Sequence, residues 1–543
     1  MKIKNIDILI NKNNTVTQNK FLTKISLTNK IDLFYKSEGC YMREKFINLR
    51  NNICEKLYPT YVKTESSAWD FYINSTDENL EKLTKAEYEY FSIFKDKKSY
   101  KELKQINIEN LNKSEQLQLK KLLKNFEEQL ETGEDFKLLR SKESEIAQKY
   151  NSYIPKIDDK EVSKTEISKI LEKETDVELR NKAYQAKIIG GDLIAEDLKT
   201  LVKQRNDFAI KKGFSNFYEY NLEKEFNVDL NDLTVILDEV YNETKDGIKK
   251  VILKKHKDLK NVFDTDNLKQ YHYGYLTENN PDKKINEYFE NKEQILELSK
   301  KTYSGIGYDI EKFVEEGKLV LDLYPRKGKN THGFCFGIDA GKNARILANL
   351  TNNSYSLDTL NHELGHCVYT LGVSRDLPFI VREEHPAMTE AIAMMMGDLH
   401  KRENVLADIV PQNILEEFKQ KFIEDDLSFI SRALIIINFE KEMYKNPDQD
   451  LKKLWHEMRV KYALADENEE LNNEWATIPH YLSHPAYYQN YFRANVYKNK
   501  MYKYLTSKFG NLTENKSVAE FLNEKLFKLG SSVEEKELMK IFE

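Results

Sequence analysis

The sequence predicts a mainly α-helical protein carrying one small antiparallel β-sheet, on three observations. Glycine (19) and proline (10) are sparse in 543 residues, while Lys, Glu and Leu are plentiful. Apolar residues recur at three- and four-residue steps through most of the chain. Only over 317–350 does the pattern change to short β-like runs, with Gly328, Asn330, Gly341 and Asn343 at the turns between them.

A chain that is 40% hydrophobic and 32% charged can bury a large core. We expect a single unit, 1–543, of two helical lobes. The net charge of −6 sets 84 Lys and Arg against 90 Asp and Glu, and no basic stripe argues for nucleic acid. No run approaches 18 apolar residues, so no membrane partner is expected. Residues 1–30 carry no secretory pattern. Cys40, Cys54, Cys335 and Cys367 are too scattered for a disulfide framework. A reducing cytoplasm is the expected location.

In chain order, 1–35 reads as a weakly structured or short-strand leader. Helical patterns follow from about 38 to 124, with Trp69 as a core residue. The Lys- and Glu-rich stretch 75–150 gives solvated helices, so 1–150 is expected to form a lid or outer wall. Further helices are predicted at about 164–188, 191–212 and 229–256, with His256 and His272 at the surface. Strands are predicted at 318–324, 332–338 and 344–350.

The sheet runs directly into a helix predicted over 356–371. Its apolar face comprises Leu357, Leu360, Leu364, Cys367, Val368 and Leu371. His362 and His366, four apart, share another face and can reach one ion, while Glu363 sits one step round and can touch a water on it. That is a pattern for metal-activated hydrolysis; the alternative is two buried histidines satisfied by core partners. Gly365 inside the helix costs about 1 kcal/mol relative to Ala, which suggests a close neighbour, and Gly372 is placed as a C-terminal cap. A catalytic zinc takes three protein ligands and keeps one position open. Glu390 is the candidate third ligand, on an otherwise apolar helix opened by Pro386; its alternative is a pairing with Arg382 or exposure to solvent.

Helix resumes to about 462. A cluster of His480, His484, Tyr487, Tyr488 and Tyr491 then enters a helix expected to begin at Pro485. Tyr488 and Tyr491 share a face, forming either a packed aromatic stripe or a set of neutral donors for an oxyanion. A strand beside such a cleft can bind an extended peptide by strand addition, and His332 could hydrogen-bond the substrate from that edge.

Asp322-Leu-Tyr-Pro-Arg-Lys-Gly-Lys329, His332-Gly-Phe-Cys335, Arg345-Ile-Leu347, His362-Glu-Leu-Gly-His366, Arg382-Glu-Glu384, Glu390-Ala-Ile-Ala393 and His480, Tyr488 and Tyr491 occur in one order. Together they resemble the angiotensin-converting enzyme and thimet oligopeptidase clan of zinc peptidases, and more specifically its bacterial oligopeptidase-like members. The resemblance is dense over about 320–495, within a catalytic core expected at 317–495. It implies a helical ellipsoid with a deep central channel that hydrolyses short peptides. One zinc ion per chain would sit on His362, His366 and Glu390, with Glu363 as general base. His480 and Tyr491 would stabilise the tetrahedral intermediate, while Tyr488 and His332 would contact substrate. Ile478 stands where the converting enzymes carry a lysine for the substrate carboxylate, so trimming of peptide C-termini, as a carboxypeptidase or dipeptidyl carboxypeptidase, is the alternative mode. The interval to the tyrosines leaves His484 as a competitor to His480. Met394 replaces an acidic residue, so another group must orient a metal-binding histidine.

Overall fold

The computed structural model describes residues 16–130, 133–276, 281–339 and 341–543, with the side chains of 16–38 and 133–136 outside that description. Helices dominate, and two small sheets are present among the described residues. The first is the hairpin β1 (Lys156–Ile157) and β2 (Lys160–Glu161). The second consists of β3 (Leu319–Asp322), β4 (Phe334–Asp339) and β5 (Asn343–Leu347), close to the predicted strands.

The expected antiparallel sheet is mixed. A tight turn folds β5 back on β4 in antiparallel register, Cys335 opposite Ile346. β5 thereby enters the middle of the order β3-β5-β4 and runs parallel to β3, Leu321 opposite Ile346. Among the described residues β4 is left as an edge strand, which is what peptide binding by strand addition requires.

The N-terminal region departs further from expectation. Residues 16–35, expected as a leader, belong to a helix that runs Val16–Ile73; 1–15 lie outside the described residues. Its C-terminal half packs on the sheet: Trp69 is buried, with its ring edge-on to Phe336, and Tyr72 meets Phe334 at 5.1 Å. Tyr61 Oη donates to the Gly337 carbonyl of β4 at 3.1 Å. Helices within 39–130 share a core of their own, centred on Phe46, Leu57, Leu103, Leu122 and Phe126, which also takes in Ile380 and Val381.

Two predicted helices over 164–212 divide elsewhere than expected. Asp176 caps a helix running unbroken through Val177–Lys211. Gly190 and Gly191 do not interrupt it, because they admit neighbours: a Cβ on Gly191 would lie 2.5 Å from the Asn473 carbonyl oxygen. His272, expected at the surface, is 2% exposed; its ring packs on Phe263, and its Nδ1 accepts the Lys269 N–H.

Residues 526–533 brace the connection between the two helices that carry the candidate ligands. Phe527 stacks on Tyr369 at 4.5 Å, the Ser531 N–H donates to the Val381 carbonyl, and the His385 ring meets the Val533 carbonyl at 2.7 Å. Gly372 ends its helix at a non-positive φ and so is not the left-handed cap expected from sequence. Its missing side chain makes room for Phe527, whose Cβ would lie 2.7 Å from a Cβ there. No helix among the described residues is long and apolar enough to cross a membrane.

Candidate active site

The histidine helix, Ser354–Gly372, starts where the Asn353 side chain accepts the Ser356 N–H. Leu357, Leu360, Leu364, Cys367 and Val368 are buried as the periodicity required. His362 and His366 consequently stand one above the other, with their Nε2 atoms 3.2 Å apart.

The glutamate helix, Pro386–Arg402, has its proline in the first turn. It crosses the histidine helix at Gly365, where a Cβ would lie only 2.7 Å from Ala393 Cα. This is the close neighbour the sequence implied. The crossing brings Glu390 Oε2 to 3.7 Å from His362 Nε2 and Oε1 to 3.9 Å from His366 Nε2. The alternative partner, Arg382, is occupied by the Leu377 and Arg375 carbonyls.

His362, His366 and Glu390 form the one group of metal-ligating type among the described residues, with ligand atoms all within 4.8 Å of one another. Zinc with nitrogens at about 2.0–2.1 Å in tetrahedral array sets them roughly 3.3 Å apart, which matches the histidine pair. Electrostatics agrees with a cation here. Burial raises the Glu390 carboxyl and pushes Glu363 to about 8, the latter with help from Glu390 and against the Cys335 N–H. Burial also lowers both imidazoles, His366 to about 3. Unprotonated rings suit a metal, and a dication would restore the ionised form of both carboxylates.

Thr389 is a site residue that sequence reasoning missed. Its Oγ1 lies 2.9 Å from His366 Nδ1. With Nδ1–H donating there, the Nε2 lone pair is directed to the ligand position. This hydroxyl does for His366 what Met394 cannot. For His362, the neighbouring carboxylates of Asp358 and Asp398 favour the charged ring against its burial.

Glu363, 7% exposed, lies beneath β4. A Cβ on Gly333 would approach its Oε1 to 3.2 Å, so the glycine leaves that carboxylate room. Cys335 and Cys367, scattered in sequence, place their thiols in contact beside it. His332 stands exposed just ahead of β4, its ring 6.3 Å from Phe334 and outside the ligand group.

His480 lies on a short helix, Pro479–Ser483, and the tyrosine helix begins at Tyr488 rather than at Pro485. Ala486, at φ +59°, makes the turn between them. The His480 ring meets Tyr488 at 5.0 Å and Tyr491 at 5.9 Å. His484 is exposed and bonded to the neighbouring Ser483 hydroxyl at 2.7 Å. Tyr491 is raised by burial and then by Glu390, which ties it electrostatically to the ligand group. Tyr487, pushed up to about 12 by burial, Tyr491 and Glu390, joins it there. Its spacing of four from Tyr491 was the available signal, and their rings lie 5.2 Å apart.

Compared with known proteins, residues 170–543 match peptidase family M3, which takes in both candidate ligand helices, the sheet and the His480–Tyr491 cluster. No individual curated protein matches the chain. A histidine pair and a carboxylate poised for a metal, set within that match, lead to one assignment: the chain belongs to peptidase family M3, the thimet oligopeptidase-like zinc metallopeptidases.

Proposed function

We propose that this metallopeptidase cleaves peptide bonds in short oligopeptides at a single zinc ion held by His362, His366 and Glu390. The observation that carries the reading is the convergence of those three ligand atoms within 4.8 Å, with Glu363 beside them under an edge strand. When bound, zinc supplies a water of pKa about 7 and polarises the substrate carbonyl.

The protein's own groups do the rest. An extended peptide lies along β4, with His332 at its start and Tyr488 contacting the chain. Glu363 takes a proton from the attacking water and returns it to the leaving amine. Tyr491, raised above its ordinary value of about 10, stays protonated near neutrality and donates to the developing oxyanion together with His480. His480 takes this role over His484 because its ring faces Tyr488 and Tyr491. The catalytic core is 317–495, and the helices of 1–150 wall a channel that admits flexible peptides in a single-chain unit. Cytoplasmic peptides are the natural pool of substrates.

Digestion of a defined peptide mixture, with and without a chelator and with zinc restored, tests this reading. Internal cleavage that disappears on chelation and returns with zinc is expected. Release of single residues or dipeptides from C-termini alone would instead assign the carboxypeptidase mode. Glu363→Gln should keep zinc and lose turnover; substantial residual hydrolysis would remove Glu363 from its role.

A further inference from the structure

The residues that join His480 to Tyr491 bond to one another, His484 N–H to the His480 carbonyl and Tyr487 N–H to the His484 carbonyl, and are also held from three other helices. Arg205, on the helix Val177–Lys211, has no exposed surface. Its Nη1 donates to the Tyr481 carbonyl at 2.8 Å and to Tyr444 Oη at 2.9 Å; its Nη2 donates to the Leu482 carbonyl at 2.5 Å and to Glu143 Oε1 at 2.7 Å. Asn221 Nδ2, from the helix Phe217–Lys224, reaches the Pro485 carbonyl at 3.1 Å. Glu440, 1% exposed on the helix Gln412–Lys445, accepts the Ala486 N–H at 2.9 Å. That last bond falls at Ala486, whose positive φ is one that an L-residue with a Cβ rarely adopts. The backbone on each side of His484 is therefore fixed from outside, at four successive points.

A buried guanidinium and a buried carboxyl are expensive to install where a hydrophobic pair would hold two helices together. The hydrogen bonds of both go to the turn and to other residues, and not to the side chains of His480, Tyr488 or Tyr491. What they hold is the short turn that sets the distance and angle between His480 and the tyrosines. We infer that Arg205 and Glu440 are positioning residues for the oxyanion donors, fixing the 480–487 turn so that His480 and Tyr491 face the ligand group together. The inference rests on the proposed roles of His480 and Tyr491. Arg205 works by its fork: its two terminal nitrogens serve four acceptors, and a lysine at that point could serve one or two of them. Glu440 works as an acceptor. Burial pushes it to about 8, so at neutrality it is mostly the uncharged acid, which a glutamine can imitate.

The experiment measures kcat, KM and zinc content for Arg205→Lys, Glu440→Ala and Glu440→Gln, and for Arg205→Lys combined with Tyr491→Phe. A misplacement near 1 Å can cost about 100-fold in rate. Arg205→Lys and Glu440→Ala should therefore lower kcat by roughly 10- to 100-fold, with KM and zinc content within about twofold. Glu440→Gln should restore most of the rate. In the double variant the loss should fall short of the product of the two single losses, since with Tyr491 replaced Arg205→Lys can act only through His480. Multiplying losses in the double variant, unchanged kcat in Arg205→Lys, or a Glu440→Gln as slow as Glu440→Ala would each overturn the inference. If Arg205→Lys does not fold, the Glu440 pair decides by itself. Should Tyr491→Phe leave the wild-type rate untouched, the failure lies in the proposed donor role and not in the clamp.

Discussion

Replacing Gly365 by alanine tests how the ligand group is held. The new methyl would begin 2.7 Å from Ala393 Cα and 3.3 Å from Met396 Cβ, against the 3.4 Å at which ordinary contact starts. The nearer obstacle is backbone, so the helices must separate by about 0.7 Å at the crossing. Ala393 lies one helical turn from Glu390, and His362 and His366 flank Gly365, so Glu390 is displaced from the rings by a similar distance. Metal sites need their ligands placed within about 0.5 Å. Stability responds to two opposed effects: alanine gains about 1 kcal/mol of helix propensity, while overpacking costs about 1–3 kcal/mol. The net is a loss of about 0–2 kcal/mol, with zinc affinity falling at least roughly tenfold, or about 1.4 kcal/mol. Zinc competition against a chromophoric chelator measures the affinity, and thermal melting of the metal-free protein measures the stability. An alanine variant that binds zinc as tightly as the parent would refute the claim that this contact sets the position of Glu390.

Thr389→Val removes the hydroxyl that holds His366 Nδ1 and should weaken zinc binding about 10- to 100-fold; the same competition assay reads it, and an unchanged affinity would deny Thr389 that function. Tyr491→Phe should reduce kcat by about 10²–10³-fold with KM little changed, the loss of a donor worth about 2.7–4 kcal/mol; steady-state kinetics on one peptide decides. Glu440→Gln bears on stability against pH. A carboxyl at about 8 in the fold and 4.5 in its reference state binds more protons folded than unfolded, so the parent loses stability as pH rises through this window. The glutamine variant lacks that loss, and its advantage in Tm should grow from pH 5 to 8 and level off above. A difference in Tm that stays flat over that range would show that Glu440 is not held neutral.

Much of the ligand group was legible because helical geometry converts spacing into position. Two histidines four positions apart must come one above the other, one glycine in a helix betrays a crossing, and Pro386 starts the helix that makes it. The three strands were legible from their turns, but their order was not: β5 inserts beside β3, and no local pattern encodes which edge a hairpin will present. The start of the long N-terminal helix was misread because a weak alternation of polar and apolar residues does not distinguish an extended leader from a helix. Thr389, Arg205 and Glu440 were invisible for a different reason. Each acts through polar contacts to residues distant in sequence, and a single threonine, arginine or glutamate carries no periodicity. His272 shows the converse: polar neighbours in sequence suggested the surface, but its ring found Phe263 in the fold.

The brace formed by residues 526–533 has a consequence for the chain's history as it is made. The five residues His362 to His366 leave the ribosome before Phe527 and Ser531 do, so the connection from their helix to Glu390 must wait without its support. Until those late residues arrive, the loop leading to Glu390 lacks the contacts that steady it from below. A peptidase built this way cannot firm up the link between its two ligand helices until a segment far downstream of Glu390 has been made.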